Sequence, residues 1–365
     1  MIPLFYPALF KKKWLDELKK VFSTPWIGQA GQVDLFEKKF GEKFGYKYCV
    51  AVNSGTSALE LAYHLIGIKE GDEVIVPVLT CSATNIPILR RKAKLVFCDI
   101  EKDTFNTDPI DLDRKITKKT KVIVVTNLGG LPVNKNVFKI AKKNKIPVVI
   151  DACQSLGISE NNGDYITYSF QAIKTFSTGD GGMLILRNKK DYDRAKLLRW
   201  FGISREKKIK VGWESYKQRA MTIAATEPGY KFHMNDIAAT LGLVGLEEND
   251  KILLHRKKIA EFYKKNINYP YVTGGSYWLF AILTKDRDKL SKYLYEHGID
   301  TNLVHIRNDI GKIFGGKRLN LKNMNEIEKE YLYIPLHTKI SMKEAKYISN
   351  VIKRFQQSNF SLSTM

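Results

Sequence analysis

Val33, Phe36, Phe40 and Phe44 recur at helical spacing, so residues 31–44 read as an amphipathic helix whose aromatic stripe faces a core. Unbroken apolar runs of strand length follow at 48–52, 73–78, 94–98, 121–126, 146–150, 166–170 and 183–186. Helical patterns separate several of them, notably over 58–65 and 134–144. Strands that are apolar on every position are buried on both faces, and strands that alternate with helices run parallel. The pattern predicts an α/β fold, a mostly parallel sheet sandwiched by helices.

From about residue 250 the rhythm changes. A Lys-rich helix over 251–266 precedes an apolar strand over 277–283, a helix over 287–297, a strand-like stretch over 299–304 and a closing helix over 342–355. This reads as a smaller α+β domain with its boundary near Asn249, giving domains 1–249 and 250–365. Residues 1–30 form an irregular arm with one short helix, and the small polar residues of 356–365 are expected to be disordered.

Charge adds a question about partners. Lys and Arg number 60 against 38 Asp and Glu, a formal charge of +22. That excess suits nucleic acid, an anionic membrane or an anionic substrate. The short clusters Lys11-Lys12-Lys13, Lys142-Lys143-Asn144-Lys145 and Lys207-Lys208-Ile209-Lys210 carry no interleaved aromatics. A basic nucleic-acid-binding protein is the non-enzymatic rival, but it needs clustered charge and a stacking or groove-reading element, and neither is visible. Cys49, Cys81, Cys98 and Cys153 show no metal-ligand spacing and read as reduced core thiols, with no metal implied. The N-terminus places its apolar segment before its lysines, the reverse of a signal peptide, and no run approaches a membrane span. A soluble cytoplasmic protein is expected.

Three features carry candidate chemistry. The turn Asn53-Ser54-Gly55-Thr56-Ser57 lies between a strand and a helix, where backbone N–H groups can receive an anion or where a hydroxyl simply caps the helix. Asp151 follows a buried strand and is either another cap or the ionised partner of a bound cation. Lys174 stands among apolar and hydroxyl residues, ahead of the Gly179-Asp180-Gly181-Gly182 turn. Such a lysine is suited to forming an imine with a carbonyl compound. Ligands of parallel sheets bind beyond the carboxyl ends of the strands, so these residues and Thr80 can meet in one cleft.

These marks occur together in one family. Asn53-Ser54-Gly55-Thr56-Ser57-Ala58-Leu59, Gly71-Asp72-Glu73-Val74-Ile75-Val76-Pro77, Asp151-Ala152-Cys153-Gln154, Ser169-Phe170 with Lys174 and Gly179-Asp180-Gly181-Gly182, and Met234-Asn235-Asp236 stand in its order. The chain resembles the DegT/StrS-type sugar aminotransferases from about Trp26 to the Ile334-Pro335-Leu336-His337 segment. These are pyridoxal-phosphate (PLP) enzymes of the aspartate-aminotransferase fold, fold type I.

The resemblance implies that Lys174 forms the imine with PLP and shuttles the proton, and that Asp151 pairs with the ring nitrogen. It sets Gln154 beside the ring's phenolic oxygen. It implies that the Gly55-Thr56-Ser57 turn and the Ser169 hydroxyl hold the phosphate. Asn235 would join from the other subunit of a homodimer. Thr80, Cys81 and His305 would face the substrate. The reaction implied takes nitrogen from L-glutamate to a nucleotide-linked 4-keto-6-deoxysugar, with a 3-keto sugar or a keto-cyclitol as alternatives. Cys81 stands where relatives often have an aromatic ring, Asn127 where histidine is common, and His233 where many have arginine. The 157–164 segment is short. Members that are dehydratases replace the lysine with histidine, so Lys174 points to transamination.

Overall fold

The computed structural model describes residues 1–204 and 225–363, so the Lys207-Lys208-Ile209-Lys210 cluster lies outside it. The first half supplies helices α1 (Lys11–Phe22), α2 (Gly31–Phe44), α3 (Gly55–Ile66), α4 (Ser82–Arg90), α5 (Pro109–Lys115), α6 (Lys135–Lys143) and α7 (Lys189–Leu198). Interleaved with them are β1 (Tyr48–Val52), β2 (Glu73–Pro77), β3 (Lys94–Cys98), β4 (Thr120–Thr126), β5 (Val148–Asp151), β6 (Tyr165–Ser169) and β7 (Gly182–Leu186). They form one seven-stranded sheet in the order β1-β7-β6-β5-β4-β2-β3.

Side chains alternate between two cores on its opposite faces. In β1, Val50 and Val52 enter one core while Cys49 and Ala51 enter the other; in β4, Val122 and Val124 oppose Ile123 and Val125. Burial on both faces is why these strands read as unbroken apolar runs. The strands from β2 to β6 pair in parallel. Only β7 is reversed, antiparallel to both β1 and β6. Ser169 pairs with Gly182, so the chain leaves β6 and returns into β7 at the same end of the sheet. The loop bearing Lys174 is thereby confined to the carboxyl end of the parallel strands.

Helix α3 begins at Gly55, ahead of the 58–65 expected. Ser54 caps it, its hydroxyl accepting the Ser57 N–H at 3.0 Å. The larger departure is α8 (Asp236–Asn266), one continuous 31-residue helix where the sequence suggested 251–266. Its first half was obscured by Gly242 and Gly245, which weaken a helical reading. Both mark close packing. A Cβ at Gly242 would lie 2.8 Å from the Phe36 ring, and one at Gly245 would lie 2.4 Å from the Phe176 ring.

The far half of α8 enters a third core through Ile259, Ala260 and Tyr263. There it packs with β9 (Phe280–Leu283), α9 (Arg287–Glu296), β10 (Tyr331–Ile334) and α11 (Met342–Ser363), whereas Val272 of β8 (Tyr271–Val272) and Met324 and Ile327 of α10 (Lys322–Ile327) enter the core that holds Val50 and Val122. The small sheet is antiparallel in the order β10-β9-β8. The expected strand over 277–283 shortens because the Trp278 and Leu279 amides both turn to Gly129 O, each at 3.1 Å. No strand forms over 299–304: Asn302 makes an isolated bridge to Tyr333, and Val304 takes a left-handed φ of 57°. The closing helix continues past 355 to Ser363, into the stretch read as a disordered tail, and Gln356 Nε2 ties it to Asn268 O at 2.8 Å. Among the described residues no helix is long and apolar enough to cross a membrane, and no cluster of ligating side chains could hold a metal ion.

Candidate active site

At the carboxyl end of β5, Asp151 is 4% exposed and caps no helix. Thr84, in the first turn of α4, donates its hydroxyl to Oδ2 at 2.7 Å, and the Cys153 N–H donates to Oδ1 at 3.1 Å. Thr80 lies behind Thr84, with its hydroxyl 3.0 Å from that of Thr84 and 3.0 Å from that of Thr126. Among the described residues no cation pairs with Asp151. A buried carboxylate held only by neutral donors is costly unless a positive group completes it.

The start of α3 lies against the end of β6. A Cβ on Gly55 would fall 2.8 Å from Ser169 Cβ and 2.9 Å from Cys153 Sγ, so only glycine lets these backbones approach. The Ser57 hydroxyl donates to Asn53 Oδ1 at 2.6 Å, and its amide is held by Ser54. The amides of Gly55 and Thr56 have no acceptor among the described residues. Together with the Ser169 hydroxyl they offer an anion a set of donors at the positive end of a twelve-residue helix.

Lys174 sits in the loop after β6, its own N–H bonded to Gln171 O at 2.9 Å. Its Nζ lies 4.2 Å from the centroid of the Trp278 ring. Its charge also reaches His305, whose imidazole is pushed down to about 3, first by burial and then by the lysine. His305 is therefore neutral at ordinary pH. Gly129 N–H donates to Gln154 Oε1 at 2.8 Å, which turns the Gln154 amide nitrogen toward His305 Nε2 at 2.9 Å. A donor facing Nε2 makes that atom the acceptor and leaves the imidazole proton on Nδ1.

The remaining predicted residues are placed as follows. Cys81 precedes α4, half-buried, with its carbonyl accepting Thr84 N–H at 3.0 Å. Neither it nor Cys153 is a fully buried core thiol, because both border the cleft; Cys49 and Cys98 are core thiols. Asn127 is buried and donates to Ser155 Oγ at 2.9 Å and to Glu160 Oε1 at 2.6 Å, anchoring the short 157–164 segment. His233 packs edge-on against the Trp200 ring, 4.2 Å between centroids. Asn235 is exposed and caps α8, accepting Ala238 N–H at 2.8 Å beside a cavity of about 290 Å³ lined by Asn53, Thr178, Asp180 and His233.

One connected set thus contains Gly55, Ser169 and Cys153 with Asp151, Thr84 and Thr80. A second contains Lys174, Trp278, His305 and Gln154. Cys81 and Asn235 lie at their margins.

Sequence reasoning missed Thr84, Trp278 and Asn308. Thr84 stands one helical turn after Thr80, a spacing that becomes readable once α4 is known to begin at Ser82. Asn308 ties the loop carrying His305 to the end of β2. Its Nδ2 donates to Thr80 O at 2.8 Å, its backbone N–H donates to Val78 O at 2.7 Å, and its Oδ1 accepts from Asn85 at 2.9 Å. The neighbouring Arg307 is buried between Asp309 and Glu328, at 2.6 and 2.8 Å.

An unpaired buried acid suits a cationic ring nitrogen, open helix-start amides suit a phosphate, and a nearby lysine suits an aldehyde. Pyridoxal phosphate carries all three groups, which defines the class as PLP-dependent enzymes that use a lysine. The chain belongs to the DegT/DnrJ/EryC1/StrS aminotransferase family, whose model matches residues 9–353. It is a PLP-dependent sugar aminotransferase. GDP-perosamine synthase of Escherichia coli O157:H7 is 30% identical over 373 residues, spanning 97% of this chain and 98% of that protein. Sugar aminotransferase CalS13 of Micromonospora echinospora superposes with a TM-score of 0.88 at 28% identity, covering 97% of this chain and 100% of its own. Spr1654 of Streptococcus pneumoniae in its PLP form superposes with a TM-score of 0.88 at 25% identity, covering 97% and 98%.

Proposed function

We propose that the protein transfers the amino group of L-glutamate to the C4 ketone of a nucleotide-linked 4-keto-6-deoxysugar, giving a nucleotide-linked aminodeoxysugar. The observation that carries the chemistry is the buried Asp151 with only neutral donors around it. The full-length similarity to a GDP-perosamine synthase supports the substrate class. The formal charge of +22 suits a nucleotide diphosphate and the glutamate carboxylates.

When bound, PLP supplies an aldehyde to receive nitrogen and a ring to accept electrons from the reacting carbon. Asp151, fixed by Thr84 and the Cys153 amide, would hold the ring nitrogen. Thr80 acts behind Thr84 and so fixes the acid rather than meeting the sugar. The amides of Gly55 and Thr56 and the Ser169 hydroxyl would hold the phosphate, and Ser57 shapes that cradle through its bond to Ser54. Lys174 Nζ removes the proton from the α-carbon of glutamate and, in the second half of the cycle, delivers one to the sugar carbon that becomes the amine. Gln154, held by the Gly129 amide, would face the ring's phenolic oxygen. His305, neutral, offers its Nδ1–H to the substrate near Cys81.

The working unit on this reading is a cytoplasmic homodimer. Trp26 and Ile27 are 56% and 50% exposed, next to Gly28, whose carbonyl accepts Asp236 N–H at 2.8 Å. That bond sets an exposed apolar pair beside Asn235, as expected where a second copy covers the arm and takes Asn235 into its own phosphate site.

The direct test is to add L-glutamate to the purified PLP-loaded protein, following the visible absorbance and 2-oxoglutarate release. Bleaching with stoichiometric oxoacid is expected, followed by recovery of colour with a nucleotide-linked 4-keto-6-deoxysugar. Recovery only with a 3-keto sugar or a keto-cyclitol would replace the proposed substrate. Unchanged absorbance would remove glutamate as the donor.

A further inference from the structure

Trp278 is 2% exposed and is held on every side. Its indole N–H donates to Ile173 O at 3.1 Å, and its ring lies beneath Lys174 Nζ, 4.2 Å from Nζ to the centroid. The Phe5 ring packs against it at 5.5 Å. Its backbone is clasped to the loop after β4: the amides of Trp278 and Leu279 both donate to Gly129 O at 3.1 Å, and Ser276 N–H donates to Gly130 O at 3.1 Å. Ser276 Oγ reaches Gln154 O at 3.0 Å. Gly130 must be glycine at this crossing, because its φ is +100° and a Cβ would lie 2.4 Å from Ser276 Oγ.

The lysine has four rotatable side-chain bonds and the indole is immobile, so the ring decides where the free amine rests. A cation over an indole face is attracted by the negative face of the ring, more strongly than over phenylalanine. The bond to Ile173 O simultaneously fixes the peptide that leads into Lys174.

We infer that Trp278 is a positioning residue that seats the Lys174 amine whenever that amine is not bonded to the cofactor. This rests on the reading of Lys174 as the cofactor lysine. Loss of the seat slows the combination of Lys174 with PLP, in which the amine nitrogen replaces the aldehyde oxygen and that oxygen leaves as water. It leaves binding of pyridoxamine phosphate, which forms no bond to lysine, unchanged.

The test uses the cofactor-free protein and its Trp278→Leu and Trp278→Phe variants. Each is mixed with PLP, the rise in visible absorbance is timed, and borohydride-reduced protein is mapped for an adduct at Lys174. Pyridoxamine phosphate affinity and thermal melting are measured alongside. Combination is expected to slow about five- to tenfold in Trp278→Leu and about two- to threefold in Trp278→Phe, with unchanged pyridoxamine phosphate affinity. Wild-type rates in both variants overturn the inference. So does an equal loss of pyridoxamine phosphate affinity, which marks general distortion. If Trp278→Leu does not fold, Trp278→Phe decides by the same comparison. A wild-type protein that forms no adduct at Lys174 removes the reading beneath the inference, whereas a wild-type adduct with unaltered variant rates removes the inference alone.

Discussion

Asp151 and Lys174 are the residues whose chemistry can be separated most cleanly by substitution. Asp151→Asn keeps the shape and an acceptor for the Thr84 hydroxyl but removes the carboxylate, so on the proposed reading the ring nitrogen loses its anionic partner. The variant is expected to retain PLP and to turn over at least about a hundredfold more slowly. Stopped-flow measurement of the glutamate half-reaction checks this, and a wild-type rate would reduce Asp151 to a structural acid. Lys174→Ala should fold and melt normally yet lose both the visible band and turnover; retained activity would place the chemistry elsewhere. Both residues stand out in the sequence, because a lone charge after a buried strand is conspicuous, and both fall at the carboxyl end of the parallel strands. Thr84 and Trp278 were not. A threonine in a helix and a tryptophan beside a strand are ordinary core residues until the tertiary structure shows what they face. Cys81 and Cys153 were misread for the same reason: an apolar neighbourhood along the chain does not reveal which side chains border a cleft.

Elements were legible where they are periodic and obscured where packing overrides periodicity. Helix α2 was read to its ends, because its aromatic stripe repeats without interruption and Gly45 stops it in a left-handed conformation, φ 76°. The first half of α8 was lost to two glycines whose function is to let Phe36 and Phe176 approach. The reversed β7 could not be inferred, since an apolar run buried on both faces looks alike in either direction. The contact between α3 and β6 gives the sharpest test at this scale. Gly55→Ala puts a Cβ within 2.9 Å of both Ser169 Cβ and Cys153 Sγ, so the helix start must move away from β6. A loss of about 1–3 kcal/mol in unfolding free energy is expected, together with weaker PLP retention. Denaturant melts and equilibrium dialysis of the cofactor measure the two effects. Unchanged retention in a destabilised protein would separate this contact from the proposed phosphate site.

At the scale of the whole molecule, acid and assembly probe different parts of the proposal. Burial holds His64, His305 and His337 below their ordinary range. The folded protein refuses protons that the unfolded chain accepts, so this stability is present above the unfolded pKa near 6.5 and is lost as pH falls toward the folded values. Glu60 and Glu160 act oppositely, because burial raises them and the fold favours their neutral forms near the lower end of that window. Stability should therefore fall from about pH 7 to about pH 5, by up to about 1.4 kcal/mol per pH unit for each histidine in its titrating range. A flatter profile in His305→Asn, read by denaturant titration, would assign that histidine its share.

Assembly is the part least visible in a single chain, since Asn235 caps its own helix and lies apart from Lys174. If each site joins Lys174 of one protomer to Asn235 of the next, Lys174→Ala and Asn235→Ala proteins are each impaired alone and complement each other when mixed. A mixed dimer then carries one site with both defects and one with neither. Random reassortment makes half the dimers mixed, so about a quarter of the wild-type activity should return. Activity that never exceeds the sum of the two separate variants, despite subunit exchange shown by mass spectrometry, would confine the site to one chain. Asn235 would then be only the cap of α8.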